Sequence, residues 1–560
     1  MYAIKQWVDE IITGPFSLDT ETTDIVEGEI PELVIWTAYD ETRNTVFWGV
    51  HTTINDFIDK HPTNIISMAN AAFDLSVLSR IELYKNIDRI HDIQIFWKLL
   101  WLAKDGLVPK KYSLALITEY CMDGYEMYKG EDVRMGWYRG MIITEDRLDY
   151  ACEDAYCTHI CWKRLYKAIT KQNNLLSYPI QIRGQIALAD IERRGIGFDL
   201  EAKDNIVDNL TEKIDPLLKS MDENYGYIIG KKGNTKVLLS LIENFIKDND
   251  IQRWPLSEKA KRLSTAYDDL EKYVDKSCFF KAYCEYKKLK KLRDFVIKQN
   301  SDRIRPRYDL IKVTGRTGSS GPNIQNQPRG GGIRECYVPR KGCKLIAMDY
   351  SYIELVALAQ ICFKQYGYSN LRTIINDGID PHIALAKSLL KKEEITKEER
   401  QKAKAVNFGF PGGMGIDVFM ATAKKQYGVD FTREESIEVK GNWKKMFPEM
   451  YKYLEAQGKE PYQIRTLTGR LQSNVRYTQS KNTPFQGLAA DGAKLSLWEC
   501  FKHNLDMVVF AHDEIIIESK EENVEEDFKM LKQCMLKGMS SVIKDVKISV
   551  EGKIMDRWEK

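Results

Sequence analysis

Asp349-Tyr350-Ser351-Tyr352-Ile353-Glu354-Leu355 and His512-Asp513-Glu514 are two acidic islands set in otherwise apolar, strand-like runs. The first follows Lys344-Leu345-Ile346-Ala347-Met348. The second lies between Met507-Val508-Val509-Phe510-Ala511 and Ile515-Ile516-Ile517, which reads as a buried hairpin with a tight acidic turn. Burying unpaired Asp and Glu is costly unless a cation compensates, so the two islands point to one shared divalent-ion site. The plainer alternative is two solvated turns in separate hairpins.

A helix supplies the positive side. Thr396-Lys397-Glu398-Glu399 has the Thr-x-x-Glu form of a capping box and opens a segment through Arg400, Lys404 and Phe408 that stops at Pro411-Gly412-Gly413. Residues four apart share one helix face, about 6 Å apart along the axis, so a guanidinium, an ammonium and an aromatic ring stand in line. That spacing suits a nucleoside triphosphate laid along the helix, with Arg400 on the distal phosphates, Lys404 on the reacting phosphate and Phe408 on the sugar. A solvated basic face is the competing reading. A second acidic set occupies the N-terminal third. Asp19 and Glu21, two apart on Phe16-Ser17-Leu18-Asp19-Thr20-Glu21-Thr22, face one side of a strand and can share a metal. Asn70-Ala71-Ala72-Phe73-Asp74 follows the strand-like Ile65-Ile66-Ser67-Met68, and Tyr150 and Asp154 lie one helical turn apart.

In this order, DYSYIEL, RQKAKAVNFG and HDE resemble motifs A, B and C of the family A, or DNA polymerase I-like, DNA polymerases. Thr314-Gly315-Arg316, Pro322-Asn323-Ile324-Gln325-Asn326, Asp380-Pro381-His382, Thr468-Gly469-Arg470 and Asn482-Thr483-Pro484-Phe485-Gln486-Gly487 resemble its supporting stretches. The upstream set resembles the Exo I, II and III motifs of the DEDD exonucleases, in the subclass with tyrosine in the third motif. The resemblance implies template-directed DNA synthesis from dNTPs at a primer 3′ end, with a proofreading 3′-to-5′ exonuclease and two metal ions at each site. Asp349 and Asp513 would hold one pair of ions, and Asp19, Glu21, Asp74 and Asp154 the other, as Mg²⁺ or Mn²⁺. The Tyr350 carbonyl would complete a metal shell, Lys404 would neutralise or protonate pyrophosphate, Glu514 would be a secondary acid, and His382 would assist Arg400. Tyr150 would orient the attacking water in the nuclease. Arg316, Asn482 and Gln486 match residues facing the minor groove, where acceptors occur in every Watson-Crick pair, and Arg470 joins them as a DNA contact. Glu354 resembles the steric gate against ribonucleotides and is expected to form a wall with Phe408.

Charge is divided along the 560 residues. Residues 1–170 carry 17 Lys+Arg against 27 Asp+Glu, so the net +2 conceals an excess of 12 positive charges in the remainder. Between Lys281 and Arg316 stand 12 basic and 4 acidic residues, an electrostatic footprint for a phosphate backbone. Eleven cysteines form no CxxC pair, and Cys152, Cys157 and Cys161 read as buried thiols on one helix. No apolar run is long enough to span a bilayer, and Met1–Glu10 has no signal-peptide core, so a cytoplasmic location is expected.

The expected fold is an RNase H-like α/β exonuclease domain over 1–170, followed by a right-hand polymerase domain over 171–560. The thumb would take about 200–310, the α+β palm about 311–370 and 465–560, ending in a strand near Val546–Val550, and the helical fingers about 371–464. Ile191–Asp199 reads as a helix end with a glycine stop and resembles the element that begins the polymerase region of the family. No 5′ nuclease domain is expected before Asp19, which resembles the bacteriophage-type members. The expected partners are primer-template DNA and dNTPs, with room for a helicase, primase or processivity factor, and no membrane. Three positions depart from the family pattern: Tyr352 stands where glutamine is common, Val356 where arginine is, and Gly412 where tyrosine is. Template-base stacking must therefore come from elsewhere. Two alternatives remain: an exonuclease whose polymerase region only binds DNA, and a single-subunit RNA polymerase.

Overall fold

In the computed structural model, residues 2–128, 130–230, 233–257, 261–328, 330–456 and 460–559 are described. The chain folds as two compact units. One comprises residues 1–195, 305–321 and 346–554, and the other residues 196–304, 322–345 and 555–560. The expected boundary at 170/171 thus falls inside the first unit. The basic stretch from Lys281 to Arg316 is shared between the units, with Arg305 to Arg316 in the first.

The first unit opens with strands β1 (Ala3–Gln6), β2 (Phe16–Thr22), β3 (Leu33–Asp40), β4 (Thr45–Val50), β5 (Ile66–Met68) and β6 (Ile90–Asp92), in sheet order β1-β4-β3-β2-β5-β6. β2, β3 and β4 are antiparallel neighbours, while β2, β5 and β6 run parallel. Every residue of β3 is buried, as a strand covered on both faces requires. Helix Glu145–Lys171 packs on this sheet and is tied to it by polar side chains: Ser17 Oγ donates to Ala155 O at 2.6 Å and Thr37 Oγ1 to Ala151 O at 3.1 Å. Cys152, Cys157 and Cys161 are buried on that helix, as expected.

The rest of the first unit is built on a four-stranded sheet in which Glu514–Lys520 lies between Asp506–Ala511 and Cys343–Tyr350, with Val550–Met555 on the outer side of Cys343–Tyr350. The final strand begins at Val550 rather than Val546 because the preceding backbone is engaged elsewhere. Arg372 Nε donates to Asp545 O, Lys547 N to Asn376 Oδ1, and Ser351 N to Ser549 O. Helices Ile353–Tyr366, Tyr477–Lys502 and Val524–Ser540 pack together beside this sheet. The capping box at Thr396 and Glu399 forms as expected and starts helix Lys397–Gly409. A single turn, Phe410–Gly412, follows, and Gly413 closes it at φ +76°. Trp443, fully buried, supports this end, its ring 5.8 Å from that of Phe410.

The second unit contains helices Leu200–Tyr225, Asn234–Asp248 and Cys278–Val296 around a core of Ile214, Met221, Ile242 and Phe280, and a three-stranded sheet of Ile196–Phe198, Arg303–Ile304 and Tyr337–Val338. The helix end expected before Asp199 is present: Tyr178–Arg194 stops at Gly195, φ +60°. Among the described residues no helix is long and apolar enough to cross a membrane.

Truncating a fully buried indole leaves a cavity that its neighbours fill only in part. Trp443→Ala should therefore cost about 3–5 kcal/mol, read as a lower urea midpoint. A loss below about 1 kcal/mol would mean that Phe410 and the end of helix Lys397–Gly409 are held by other contacts.

Candidate active sites

Strand alternation and a hairpin bring the two acidic islands together. Asp349 is the penultimate residue of Cys343–Tyr350, and Asp513 lies in the two-residue turn joining Asp506–Ala511 to Glu514–Lys520, whose second strand is its sheet neighbour. His512, first residue of that turn, takes the left-handed backbone at φ +62°, and so does Tyr352 at φ +42° just after the first island. Both are sparsely populated for non-glycine residues. The Asp513 carboxyl is pushed up to about 7, first by burial and then by Asp349, with which it shares a hydrogen bond. Tyr350 anchors the strand end: its buried hydroxyl shares a 2.6 Å hydrogen bond with Ser496 Oγ and donates to Met535 O at 2.7 Å.

Arg316, Glu354, Gln486 and Asp513, up to 197 positions apart in sequence, line one small cavity of about 30 Å³. Arg316 forms an ion pair with Glu354. The ring neighbours of Phe408 are His382, at 5.6 Å, and Tyr427, at 6.5 Å. Arg400 donates from Nε and Nη2 to Asp380 Oδ2 at 3.0 and 2.6 Å, while Asp380 caps the helix that begins at Pro381. Burial lowers the His382 imidazole to about 4, so it is neutral at pH 7. Asn407 Nδ2 lies 3.2 Å from His382 Nδ1, and because an amide nitrogen can only donate, the His382 proton sits on Nε2. Asn482 Nδ2 donates to Thr478 O at 2.9 Å, and a Cβ on Gly412 would collide with its amide oxygen. The glycine departure at position 412 is thus what lets Asn482 approach. The ring of Tyr477 closes in the same way on Gly413.

Arg470 departs from expectation. It is 1 % exposed, with Nη2 3.4 Å from Thr314 O and 3.7 Å from Asp491 Oδ2. A guanidinium so enclosed acts on the protein interior and does not offer itself to a DNA surface.

The upstream acidic set also converges. One carboxylate oxygen from each of Asp19, Glu21 and Asp154 lies within 4.8 Å of the others. Burial and mutual repulsion push Asp19 and Glu21 well up, and burial brings Asp154 to about 7. Asp74 stands beside them, accepting from Thr20 Oγ1 at 2.7 Å, and burial raises it to about 7. Tyr150 hydrogen-bonds Asp154, and burial followed by that carboxylate raises its phenol, so it is a neutral hydroxyl at neutral pH. Sequence reasoning missed Arg134 and Arg147, whose charges oppose the repulsion at Glu21. Arg147 donates to Met135 O at 2.8 Å and stacks on Trp137 at 5.0 Å. Its signal was present: Arg147, Tyr150 and Asp154 follow the i, i+3, i+7 spacing of one helix face. An all-oxygen set held this close at the expense of its own ionisation fits a hard divalent cation.

The class of protein is given by its family and relatives, to which the two carboxylate centres and the helix carrying Arg400, Lys404 and Phe408 belong as candidate sites. The chain belongs to DNA polymerase family A, whose family model matches residues 205–560. It is 33 % identical over 533 residues to DNA polymerase I of Aquifex aeolicus, covering 88 % of this chain and 87 % of that protein. It is 25 % identical over 426 residues to the thermostable DNA polymerase I of Thermus filiformis, of which it spans 49 %. In fold it resembles the POL domain of Pol1 from M. smegmatis, solved in complex with DNA primer-template and dNTP. The TM-score is 0.74 at 18 % identity, over 98 % of this chain and 96 % of that one.

The raised carboxyls fix a sign. Without a cation the folded chain binds more protons than the unfolded one from about pH 4 to about pH 7, so these groups stabilise at low pH and lose that contribution as pH rises through about 7. A cation must displace those protons and should therefore stabilise more at about pH 8, where 100 times its Kd contributes about 2.7 kcal/mol, than at about pH 5.5, where the same concentration is fewer multiples of a weakened Kd. Thermal melts with Mg²⁺ and with chelator at both pH values, on the native chain and on Asp19→Ala with Glu21→Ala, measure this. Equal increments at the two pH values in both proteins would refute cation binding at the upstream set.

Proposed function

We propose that this chain extends a primer 3′ end with dNTPs under the direction of a DNA template, and that its N-terminal part removes nucleotides from a mispaired 3′ end. The observation that carries this reading is the pair of buried carboxylate clusters, one within the residues matched by the family and one upstream of them. The upstream sheet, with Asp19 and Glu21 on β2 and a long helix bringing Tyr150 and Asp154 across it, supports an RNase H-like nuclease of the DEDD class with tyrosine. Helix-rich residues 371–464 would be the fingers, the four-stranded sheet the palm, and the helices of the second unit the thumb.

In synthesis, two divalent cations held by Asp349 and Asp513 would supply the charge that makes the 3′-hydroxyl a nucleophile and steadies departing pyrophosphate. The chain's own groups do the positioning. Arg400, its Nε and Nη2 steadied by Asp380, keeps Nη1 for the distal phosphates, and His382 donates from a neutral Nε2–H. Lys404, one turn after Arg400, neutralises the phosphate next to the reacting centre. Phe408 packs on the sugar. Arg316, Gln486 and Asn482 test minor-groove geometry, and the ring of Tyr477 against Gly413 provides the stacking surface that position 412 lacks. In the nuclease, cations held by Asp19, Glu21, Asp74 and Asp154 would activate water for attack on the terminal phosphodiester. Tyr150, a neutral donor to Asp154, orients that water, and exposed Arg134 meets the phosphate.

Two centres with separate ligands should be separable. Asp349→Ala or Asp513→Ala should abolish nucleotide addition and spare single-strand digestion, and Asp19→Ala with Glu21→Ala should do the reverse. Loss of both activities from either change, in folded protein, would refute the two-centre reading. Sugar selection gives a second test, read by single-nucleotide insertion in the exonuclease-silenced protein. Glu354→Ala should relax exclusion of ribonucleotides, whereas Phe408→Tyr should restore a hydroxyl for a missing 3′-hydroxyl and raise dideoxynucleotide use alone. Unchanged selectivity in both would mean that the sugar does not lie against these residues.

A further inference from the structure

The most enclosed charges in the first unit lie outside both carboxylate centres. Asp491 and Lys494, on helix Tyr477–Lys502, are 0 % exposed, and Arg470 is 1 % exposed. Lys494 Nζ donates to Gly315 O at 2.9 Å and to Gln181 Oε1 at 2.6 Å, while Gln181 Nε2 donates to Asp491 Oδ1 at 3.1 Å. Asp491 Oδ2 accepts from Thr468 Oγ1 at 2.5 Å and lies 3.7 Å from Arg470 Nη2, which in turn reaches Thr314 O at 3.4 Å. The two buried cations therefore grip the consecutive carbonyls of Thr314 and Gly315. The next residue is Arg316, whose guanidinium meets Glu354 and lines the cavity with Asp513 and Gln486.

Three glycines give this cluster its room. A Cβ on Gly184 would collide with the Lys494 stem, and one on Gly315 or Gly487 would collide with the Arg470 guanidinium. Gly315 also takes φ +91°, closing a turn in which Lys312 N donates to Arg316 O. Buried ion pairs often contribute little net stability compared with apolar replacements, so stability alone does not account for these charges. Directional donors to backbone carbonyls do something an apolar core cannot: they fix where a turn points. A neutral Lys494 amine would keep both of its donor bonds, so the grip does not need the charge.

We propose that Lys494, Arg470, Asp491 and Gln181 are positioning residues that hold the Thr314–Arg316 turn so that Arg316 meets the primer terminus. The inference rests on the reading of Arg316 as a minor-groove contact. Placement errors of about 1 Å cost up to about 100-fold in rate, so a loosened turn should be visible in kinetics.

The test uses the full chain with Asp19→Ala and Glu21→Ala, so that digestion does not mask extension. Lys494→Met keeps the stem and removes the donors. It should slow single-turnover extension of a matched primer about tenfold or more, slow a mismatched primer less, and so lower the matched-to-mismatched ratio. Adding Arg316→Ala to Lys494→Met should cost little more than Arg316→Ala alone, since both disable one contact. A drop in thermal midpoint fits any structural role and does not count. An unchanged ratio together with additive losses overturns the proposal. If Lys494→Met does not fold, Gln181→Met, which removes one amide, carries the same test. If Arg316→Ala alone leaves the ratio unchanged, the minor-groove reading is what has failed. A crystal structure of the Lys494→Met protein then decides the positioning claim, which stands if the Thr314–Arg316 turn is displaced and falls if it is not.

Discussion

Repulsion between carboxylates held close together out of water is the constraint on which this structure turns. Asp19, Glu21 and Asp154 crowd at one place, and Asp349 and Asp513 share a hydrogen bond at another. Neither arrangement is favourable for the chain by itself, because desolvation and like charge both oppose ionisation. Each persists because the carboxylates sit on elements that cannot retreat. β2 is paired on both edges, helix Glu145–Lys171 is tied down by Ser17 and Thr37, and the hairpin bearing Asp513 is flanked by strands buried along nearly their whole length. The geometry is rigid first, and the charge problem it creates is what a cation answers.

The helix Tyr178–Arg194 shows how one element serves both regions of the first unit. Tyr178 accepts from Asp92 N and donates to Ile90 O at the end of β6, while Asp92 Oδ2 accepts from Ala71 N, the first residue of the helix that carries Asp74. Three residues later, Gln181 enters the Lys494–Asp491 cluster behind Arg316. Positions three apart share a helix face, so a single face supports the helix bearing Asp74 and the cluster behind Arg316 through independent hydrogen bonds. The contact of helix Ile93–Asp105 with strand Leu471–Val475, where Ser473 Oγ donates to Ala103 O and Gln472 Nε2 to Gly106 O, ties the same two regions at a second place. These ties are why residues 1–195 fold with the later sheet as one unit.

What could be read from the chain was whatever a local period or a turn encodes. The Asp19–Glu21 alternation, the Thr396 capping box, the hairpin at His512-Asp513 and the Arg400–Lys404–Phe408 spacing each depend on neighbours within a few residues. Three features depended on partners remote in sequence and were not legible. Arg470 was expected as a DNA contact, yet two glycines at 315 and 487 open the interior to it. Glu354 was read for its place beside Phe408, and its ion pair with Arg316, 38 positions earlier in the chain, was not foreseen. The strand expected from Val546 begins at Val550, because an arginine and an asparagine on helix Asn370–Asn376 capture the intervening backbone.

Backbone strain lies beside the acidic islands, and its placement follows from the same demand. Tyr352 and His512 both adopt left-handed conformations that cost a non-glycine residue on the order of 1 kcal/mol or more, and both lie within three residues of Asp349 or Asp513. Such conformations survive only where the surroundings over-determine them. Tyr350 is pinned by Ser496 and Met535 O, Ser351 by Ser549 O and Glu551, and the hairpin by the register Ala511↔Glu514. A relaxed turn at either place would swing its carboxylate away from the other. The fold thus spends backbone conformation to keep two acids together, and the bonds that pin Tyr350, Ser351 and the hairpin are what prevent relaxation.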